Sequence, residues 1–286
     1  MSIYHNHPDT IIHSDWFSKD MYIYTIPQPA CISVNMINIF SNIFPNIFIQ
    51  VEPNIINNHT PYLIENFKKY HTIFTFSKEV LDKCPNSRFF LVCSSWIKPE
   101  YYKNIDVSSK TYTISTLSGS KCINNSNGHI FRQAIHNNQR LFKEYPITFF
   151  RSAVQHPHLR DYGNNPFIVE KEELFDSFQF AIIIENTTES NNFSEKLIDC
   201  LITKTIPIYY GCDNIHNFFD TRGWIILISS SINEIISKLK LLNKTYYNKY
   251  SATIENNYVT ALQLTSIYTN INNSLSNEEY HKQYTN

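Results

Sequence analysis

Glu185 and Asn186 close an apolar run, and ten residues further on Glu195 and Lys196 open a helix-like one. Residues 178–211 read FQFAIIIENTTESNNFSEKLIDCLITKTIPIYYG. The pattern is a buried strand, a polar loop, a helix from Ser194, and a second strand ending at Gly211. Leu197/Leu201 and Ile198/Ile202 repeat at helical spacing. Glu195 and Lys196 then fall in the first helical turn, where unpaired N–H groups and the positive end of the dipole favour an anion. Lys196 adds a full charge toward a diphosphate. Glu195 can accept hydrogen bonds from sugar hydroxyls. Such a βαβ unit suits a nucleotide sugar.

Glycine sharpens this reading. The 286 residues contain five glycines, at 119, 128, 163, 211 and 223. Their spacing excludes a GxGxxG fingerprint and a GxxxxGK[ST] phosphate loop. Phosphate binding would have to rely on a helix N-terminus and cationic side chains.

Strand-like and helix-like runs alternate around this unit. Strands are predicted at 21–26, 46–51, 72–76, 88–93, 111–117, 147–150, 179–184, 206–210 and 224–228. Helices are predicted at 61–70, 78–83, 128–143, 194–203 and 231–242, with Ser77 as an N-cap and Ser231/Glu234 as a capping box. Alternation of this kind implies parallel sheets flanked by helices. The irregular stretch 97–110 divides the chain into a domain of residues 1–108 and one of 109–266, followed by a polar, partly frayed tail at 267–286. Two Rossmann-like domains facing a cleft are expected, with ligands at the carboxyl ends of the strands.

Composition sets further bounds. Lys and Arg number 24 against 25 Asp and Glu, for a formal net charge of -1. That balance argues against general nucleic-acid binding. No transmembrane segment or leader is evident, since the apolar runs are strand-sized. Six dispersed cysteines read as reduced core thiols. The HxH pairs His5/His7 and His156/His158 lack a placed third ligand and read as loop histidines.

The 178–211 segment resembles the glycosyltransferase family 10 fucosyltransferases, whose hallmark joins E-N, a short loop, Y-x-T-E-K, a helix and V/I-P-I/V-Y-x-G. Glu185-Asn186, Glu195-Lys196, Ile206-Pro207-Ile208-Tyr209 and Gly211 match it in order and spacing. Asn192, with Phe193 beside it, stands at the motif tyrosine, and Ser194 at its threonine. The family tyrosine contributes to donor binding, so Asn192 could replace its hydrogen bond or Phe193 its ring. Residues 118–132 resemble the family's S-N…R stretch, making Arg132 the diphosphate contact, with Arg140 as a second candidate. Residues 50–53 (QVEP) resemble the E-x-P segment, making Glu52 the general base.

The resemblance implies an α/β GT-B fold and an inverting transfer of L-fucose from GDP-fucose to a glycan hydroxyl, with an α-1,3-type linkage. Its donor site would comprise Arg132, Glu185, Asn186, Asn192, Phe193, Glu195, Lys196 and Tyr209. No cofactor is required. A divalent metal could stimulate the reaction, but no D-x-D element or metal-ligand site is predicted. The absence of an anchor points to a cytoplasmic enzyme of bacterial or viral type. Two other readings remain: a transferase for another nucleotide sugar, and a noncatalytic glycan- or nucleotide-binding protein of the same fold.

Overall fold

The computed structural model describes residues 2–4, 11–13, 24–25, 31–34, 47–119, 122–152 and 165–276. His5, His7, His156, His158 and Gly163, which figure in the sequence reading, lie outside the described residues, as do most of 21–26 and the end of the tail. The chain divides into two compact units, one running through Val92 and regaining the chain from Ile267, the other covering Cys93–Ser266.

In the first unit, β1 (Ser2–Tyr4) and β2 (Ile11–His13) form an antiparallel pair. A second sheet has β3 (Tyr24–Thr25), β4 (Cys31–Val34), β5 (Ile47–Gln50), β6 (Thr72–Thr75) and β7 (Ser87–Phe89) in that order. The β5–β6–β7 half is parallel, while β3 and β4 add antiparallel strands at one side. Helix α1 (Thr60–Asn66) carries Pro61 in its first turn, where the missing N–H is harmless. Helix α2 (Lys78–Lys83) follows β6. Phe48, Leu63, Ile73, Val80 and Cys84 form this unit's core.

The second unit begins earlier than residue 109. Residues 97–110, predicted to be an irregular linker, contain α3 (Pro99–Tyr102) and a short 3-10 turn, Val107–Ser109. They pack on the second unit because their polar groups find partners there: the Tyr258 hydroxyl donates to the Tyr102 carbonyl at 3.0 Å. The buried Lys110 ammonium donates to the carbonyls of Phe175 and Phe178 and to Thr205 Oγ1.

Its sheet joins β8 (Thr111–Ser118), β9 (Ile147–Arg151), β10 (Phe178–Ile184), β11 (Ile206–Tyr210) and β12 (Ile225–Ile226) in the order β12-β11-β10-β8-β9, and every pairing is parallel. β10 lies at the centre and is almost wholly buried, as a parallel strand covered on both faces must be. Helix α4 (Asn127–Asn137) follows β8, and α5 (Glu195–Ile202) connects β10 to β11. Leu197, Ile198, Leu201 and Ile202 of α5 are buried, at about 1.5–3 kcal/mol each. Then come α6 (Ile232–Leu239), α7 (Tyr246–Lys249) and α8 (Ser251–Leu262).

Two local features go beyond the sequence reading. Residues 267–276, in the tail expected to be partly frayed, form α9 (Ile267–Ser276). It packs in the first unit, where Ser274 Oγ donates to the Phe89 carbonyl at 2.6 Å and Asn270 Nδ2 to the Leu91 carbonyl at 3.2 Å. The Ser231/Glu234 capping box does not close. Ser231 occupies the N-cap without a side-chain bond, and Glu234 accepts instead from the N–H groups of Ile228 (3.0 Å) and Ser229 (2.8 Å). Both units are thus α/β. The second has an all-parallel sheet, and the first joins a parallel β5–β6–β7 half to antiparallel strands. The expected mostly parallel pairing therefore holds for the second unit and for half of the first unit's five-stranded sheet. No helix among the described residues is long and apolar enough to cross a membrane.

Candidate active site

The carboxyl ends of β8, β10 and β11 bring Gly119, Glu185 and Gly211 to one edge of the second sheet, the usual ligand edge of open α/β sheets. Glu185 is fixed from both ends. Its N–H donates to the Tyr210 carbonyl at 2.8 Å, extending the β10–β11 ladder by one step. Its side chain, 3% exposed, caps α5 from outside. Oε1 accepts the Ser194 N–H at 2.9 Å and Oε2 accepts the Ser194 hydroxyl at 2.7 Å. Ser194 is the N-cap residue, and its Oγ accepts from the Lys196 N–H at 3.3 Å.

Lys196 stands over this network. Its Nζ lies 3.0 Å from Ser194 Oγ, 3.3 Å from Glu195 Oε1 and 3.6 Å from Glu185 Oε2. Burial works against its charge, but Glu195 and then Glu185 outweigh burial and hold its pKa above the ordinary lysine value. For Glu195 burial is likewise the largest effect, and it is overcome by Lys196 and Lys171, so this carboxyl titrates below its ordinary value. Both groups are therefore charged at neutral pH. The Lys196 side chain keeps 28% exposure.

Arg132 projects from α4 toward the same edge. Its guanidinium donates to the Ile184 carbonyl and, at 3.0 Å, to Asn186 Oδ1. The Asn186 carbonyl accepts from Ser126 Oγ at 2.7 Å and from the Gly128 N–H at 3.0 Å. The N-terminus of α4 is thereby bonded to the Glu185-Asn186 step. Ser126 and Gly128 are the site-building residues that the sequence reading missed; for Ser126 the available signal is an S/T-type residue ahead of the helix. Arg140 lies exposed in a 3-10 turn, Gln139–Phe142.

The polar loop between β10 and α5 is pinned to the segment after β11. Asn191 adopts φ 61°, a left-handed conformation that asparagine tolerates better than most residues. Its N–H donates to Asn214 Oδ1 at 2.8 Å, and Asn214 Nδ2 returns a bond to Asn191 Oδ1 at 2.8 Å. Ser190 Oγ donates to Asp213 at 2.7 Å.

The motif residues separate by burial. Asn192 is partly exposed in this loop. Phe193 is 2% exposed, with ring centroids 5.1 Å from Phe218 and 5.6 Å from Phe219, so its ring packs in the core instead of offering a face to a ligand. Tyr209 is 1% exposed and its hydroxyl accepts the Cys212 N–H at 3.0 Å. It supports the turn through Gly211. Glu52 belongs to the first unit, two residues beyond β5, partly exposed beside the buried Pro53. The structure therefore groups Arg132, Glu185, Asn186, Glu195 and Lys196 directly. It places Asn192 on the adjoining loop and Phe193 and Tyr209 beneath. Among the described residues no group of three or more His, Cys, Asp or Glu side chains converges as a metal site does.

The carboxyl edge of this parallel sheet thus presents a capped helix N-terminus, two acids and two cations side by side. The similarities of the chain agree in kind with the motif. It is 30% identical over 122 residues to alpha-(1,3)-fucosyltransferase B of Drosophila melanogaster, covering 39% of this chain and 27% of that one. It is 29% identical over 84 residues to alpha-(1,3)-fucosyltransferase FucT of Helicobacter pylori, covering 29% of this chain and 17% of that one. The matched parts thus span about a quarter or less of these relatives. No protein-family model matches the chain. An alpha1,3-fucosyltransferase solved with GDP-fucose aligns at 17% identity over 81% of this chain and 75% of its own, with a TM-score of 0.48. The resemblance to fucosyltransferases read from residues 178–211 is therefore matched by sequence similarity to two α-1,3-fucosyltransferases.

Proposed function

We propose that the chain is an inverting glycosyltransferase of the GT-B type, transferring L-fucose from GDP-fucose to a hydroxyl of an acceptor glycan in an α-1,3-type linkage. The observation that carries this reading is the Glu185–Ser194–Lys196 network at the N-terminus of α5, in a segment that matches the family motif. Lys196, the first turn of α5 and Arg132 would stabilise the diphosphate as negative charge develops on it. Glu195 and Asn186 would orient the sugar and the phosphates. Asn192, partly exposed, takes the place of the motif tyrosine.

In the transfer, the acceptor oxygen attacks the anomeric carbon as the bond from that carbon to the β-phosphate oxygen breaks. The acceptor proton passes to Glu52, and GDP leaves on the opposite face. These cations give the leaving group its stabilisation without a metal ligand set.

The test is donor-dependent release of nucleoside diphosphate with a panel of acceptor glycans. GDP release from GDP-fucose supports the reading. Turnover of a UDP-sugar alone would replace the donor assignment, and no turnover of any donor would favour a binding protein of this fold. Glu52→Gln is expected to keep GDP-fucose binding and lose transfer by about 100-fold or more. An unchanged rate would remove Glu52 as the base.

A further inference from the structure

Trp96 is the most exposed of the described aromatic side chains, at 65%, whereas tryptophan is on average a well-buried residue. The chain on either side of it is fixed. Cys93 and Ile97 are buried, and the Ser95 N–H donates to the Thr265 carbonyl at 2.9 Å. Asp199 of α5, fully buried, accepts the Trp96 N–H at 3.0 Å and the Ser95 hydroxyl at 2.9 Å. Asp199 lies four residues beyond Glu195, on the same face of the helix. The site helix therefore holds the Trp96 peptide in place while the indole stands in solvent.

The neighbouring segment is held as firmly. Lys98 Nζ lies 4.0 Å from Glu170 Oε2, and Lys171 Nζ lies 5.1 Å from the centre of the Trp96 ring, so residues 96–98 run alongside 170–171. Glu170 and Glu173 close a capping box around the 3-10 turn Lys171–Leu174. Lys171 also favours the ionised forms of both Glu195 and Asp199, which places its charge between the indole and the site end of α5.

We propose that Trp96 is a sugar-binding platform on the flank of the site helix, stacking against the C–H face of a pyranose ring of the acceptor glycan, with Lys98, Glu170 and Lys171 beside it for the hydroxyls.

A pyranose has an apolar C–H face and a rim of hydroxyls, so it suits an aromatic plane bordered by charged groups. Both are present. Lys171 takes one side of the indole, and 65% exposure leaves most of the remaining ring open. Lys98 and Glu170 are exposed and 4.0 Å apart, so the first can donate to a hydroxyl and the second accept from one. A protein partner fits less well. A stable interface takes about 800 Å² from each side. Here the apolar surface is one indole and the exposed Val169, bordered by an ion pair. A nucleotide base also stacks on aromatic rings, but its place in this fold is elsewhere. The β8–β9 and β10–β11 connections leave in opposite directions, which puts the switch-point crevice between β8 and β10. Trp96 is tied to the middle of α5, which packs over β10 and β11.

The identity of the ligand as an acceptor rests on the transferase reading; the stacking itself is read without turnover. The test follows the indole N–H signals of the chain's three tryptophans, Trp16, Trp96 and Trp224, by NMR. Trp96→Phe identifies the Trp96 signal by its loss. Chitotriose, cellotriose, maltotriose and lactose are titrated in the presence of GDP. At least one of them should move the Trp96 signal, and GDP alone should not. For a glycan that is turned over, Trp96→Ala should raise the acceptor KM by about 10-fold or more and leave kcat and the KM for GDP-fucose within about 2-fold. Trp96→Phe should recover part of the loss. Both variants should unfold at the wild-type urea midpoint, since the ring they remove is exposed. A Trp96 signal that none of the four sugars moves, or an unchanged acceptor KM in Trp96→Ala, overturns the platform. A signal that moves with GDP alone assigns the ring to the base and overturns it too. Movement with a glycan but no turnover of GDP-fucose keeps the platform and counts against the transferase reading. GDP-fucose turnover with a silent indole does the reverse.

Discussion

Replacing Gly128 with alanine tests how the site is built. At an open position in a helix the change would stabilise by about 0.8–1 kcal/mol, because alanine is the better helix former. Here a Cβ would lie 1.7 Å from the Glu185 carbonyl oxygen and 2.8 Å from the carbonyl carbon and oxygen of Asn186. All three atoms are backbone, so no side chain can rotate away. Helix α4 would have to retreat by about 1 Å or more from the end of β10. Three hydrogen bonds span that gap: Gly128 N–H to the Asn186 carbonyl at 3.0 Å, Ser126 Oγ to the same carbonyl at 2.7 Å, and Arg132 to Asn186 Oδ1 at 3.0 Å. At about 0.5–1.5 kcal/mol each, their weakening outweighs the helix-propensity gain. The expected net loss is about 2–4 kcal/mol. Urea unfolding followed by tryptophan fluorescence, to which Trp96 and Trp224 of the second unit contribute, should show a midpoint lower by about 1 M or more. Gly119→Ala is the control, since among the described residues its Cβ would meet the Ser152 hydroxyl at 3.3 Å, which can turn aside. A Gly128→Ala protein within about 0.5 kcal/mol of the wild type would refute the close approach and the site geometry that depends on it.

Other perturbations follow from the same contacts. Lys196→Ala removes the cation shared by Glu185 and Glu195, and should weaken GDP binding by about 10-fold or more in equilibrium titration. For Glu234 burial opposes the charge, but bonds from the Ile228 N–H, the Ser229 hydroxyl and Lys238 outweigh it and depress the carboxyl to about 2. Its stabilisation is present above about pH 4.5 and lost as pH falls through about 2. Glu234→Gln should cost about 1–2 kcal/mol at pH 7 and nothing near pH 1.5, as read by chemical unfolding at the two values.

What could be read from the sequence depended on how each element is buried. α5 and β10 present apolar residues at helical spacing and in a continuous run, so both were legible. α8 was not, because its buried stripe is Thr253, Asn257 and Ala261, one polar or small residue per turn. α9 escaped for the same reason, with Asn270 and Ser274 buried in its packed face. Within the candidate site, spacing singled out Glu185, Glu195 and Lys196, which the structure groups together, but it could not tell an aromatic that stacks from one that packs. Phe193 and Tyr209 stand in motif positions and are core residues. Glu234 had the right spacing for a capping box, yet two free N–H groups just upstream of its helix offered better partners than the N-cap.

The scarcity of glycine gains a structural meaning at Glu185. Gly128 lies against its carbonyl oxygen, and a Cβ on Gly211 would fall 2.5 Å from its Cγ and 2.5 Å from the Tyr209 hydroxyl oxygen. Two of the five glycines therefore permit the backbone to close around one acidic residue from opposite sides. In a phosphate loop, glycines let backbone N–H groups approach the ligand. Here they let α4 and the end of β11 approach Glu185, and the charges at this edge are side chains. An anion at this edge would meet Lys196 already balanced by two carboxylates, so binding must draw the ammonium away from Glu185 and Glu195 as it forms. In the donor site proposed above, the hydroxyls of a bound sugar would donate to the carboxylates that the lysine leaves, which would favour a diphosphate joined to a sugar over the diphosphate alone.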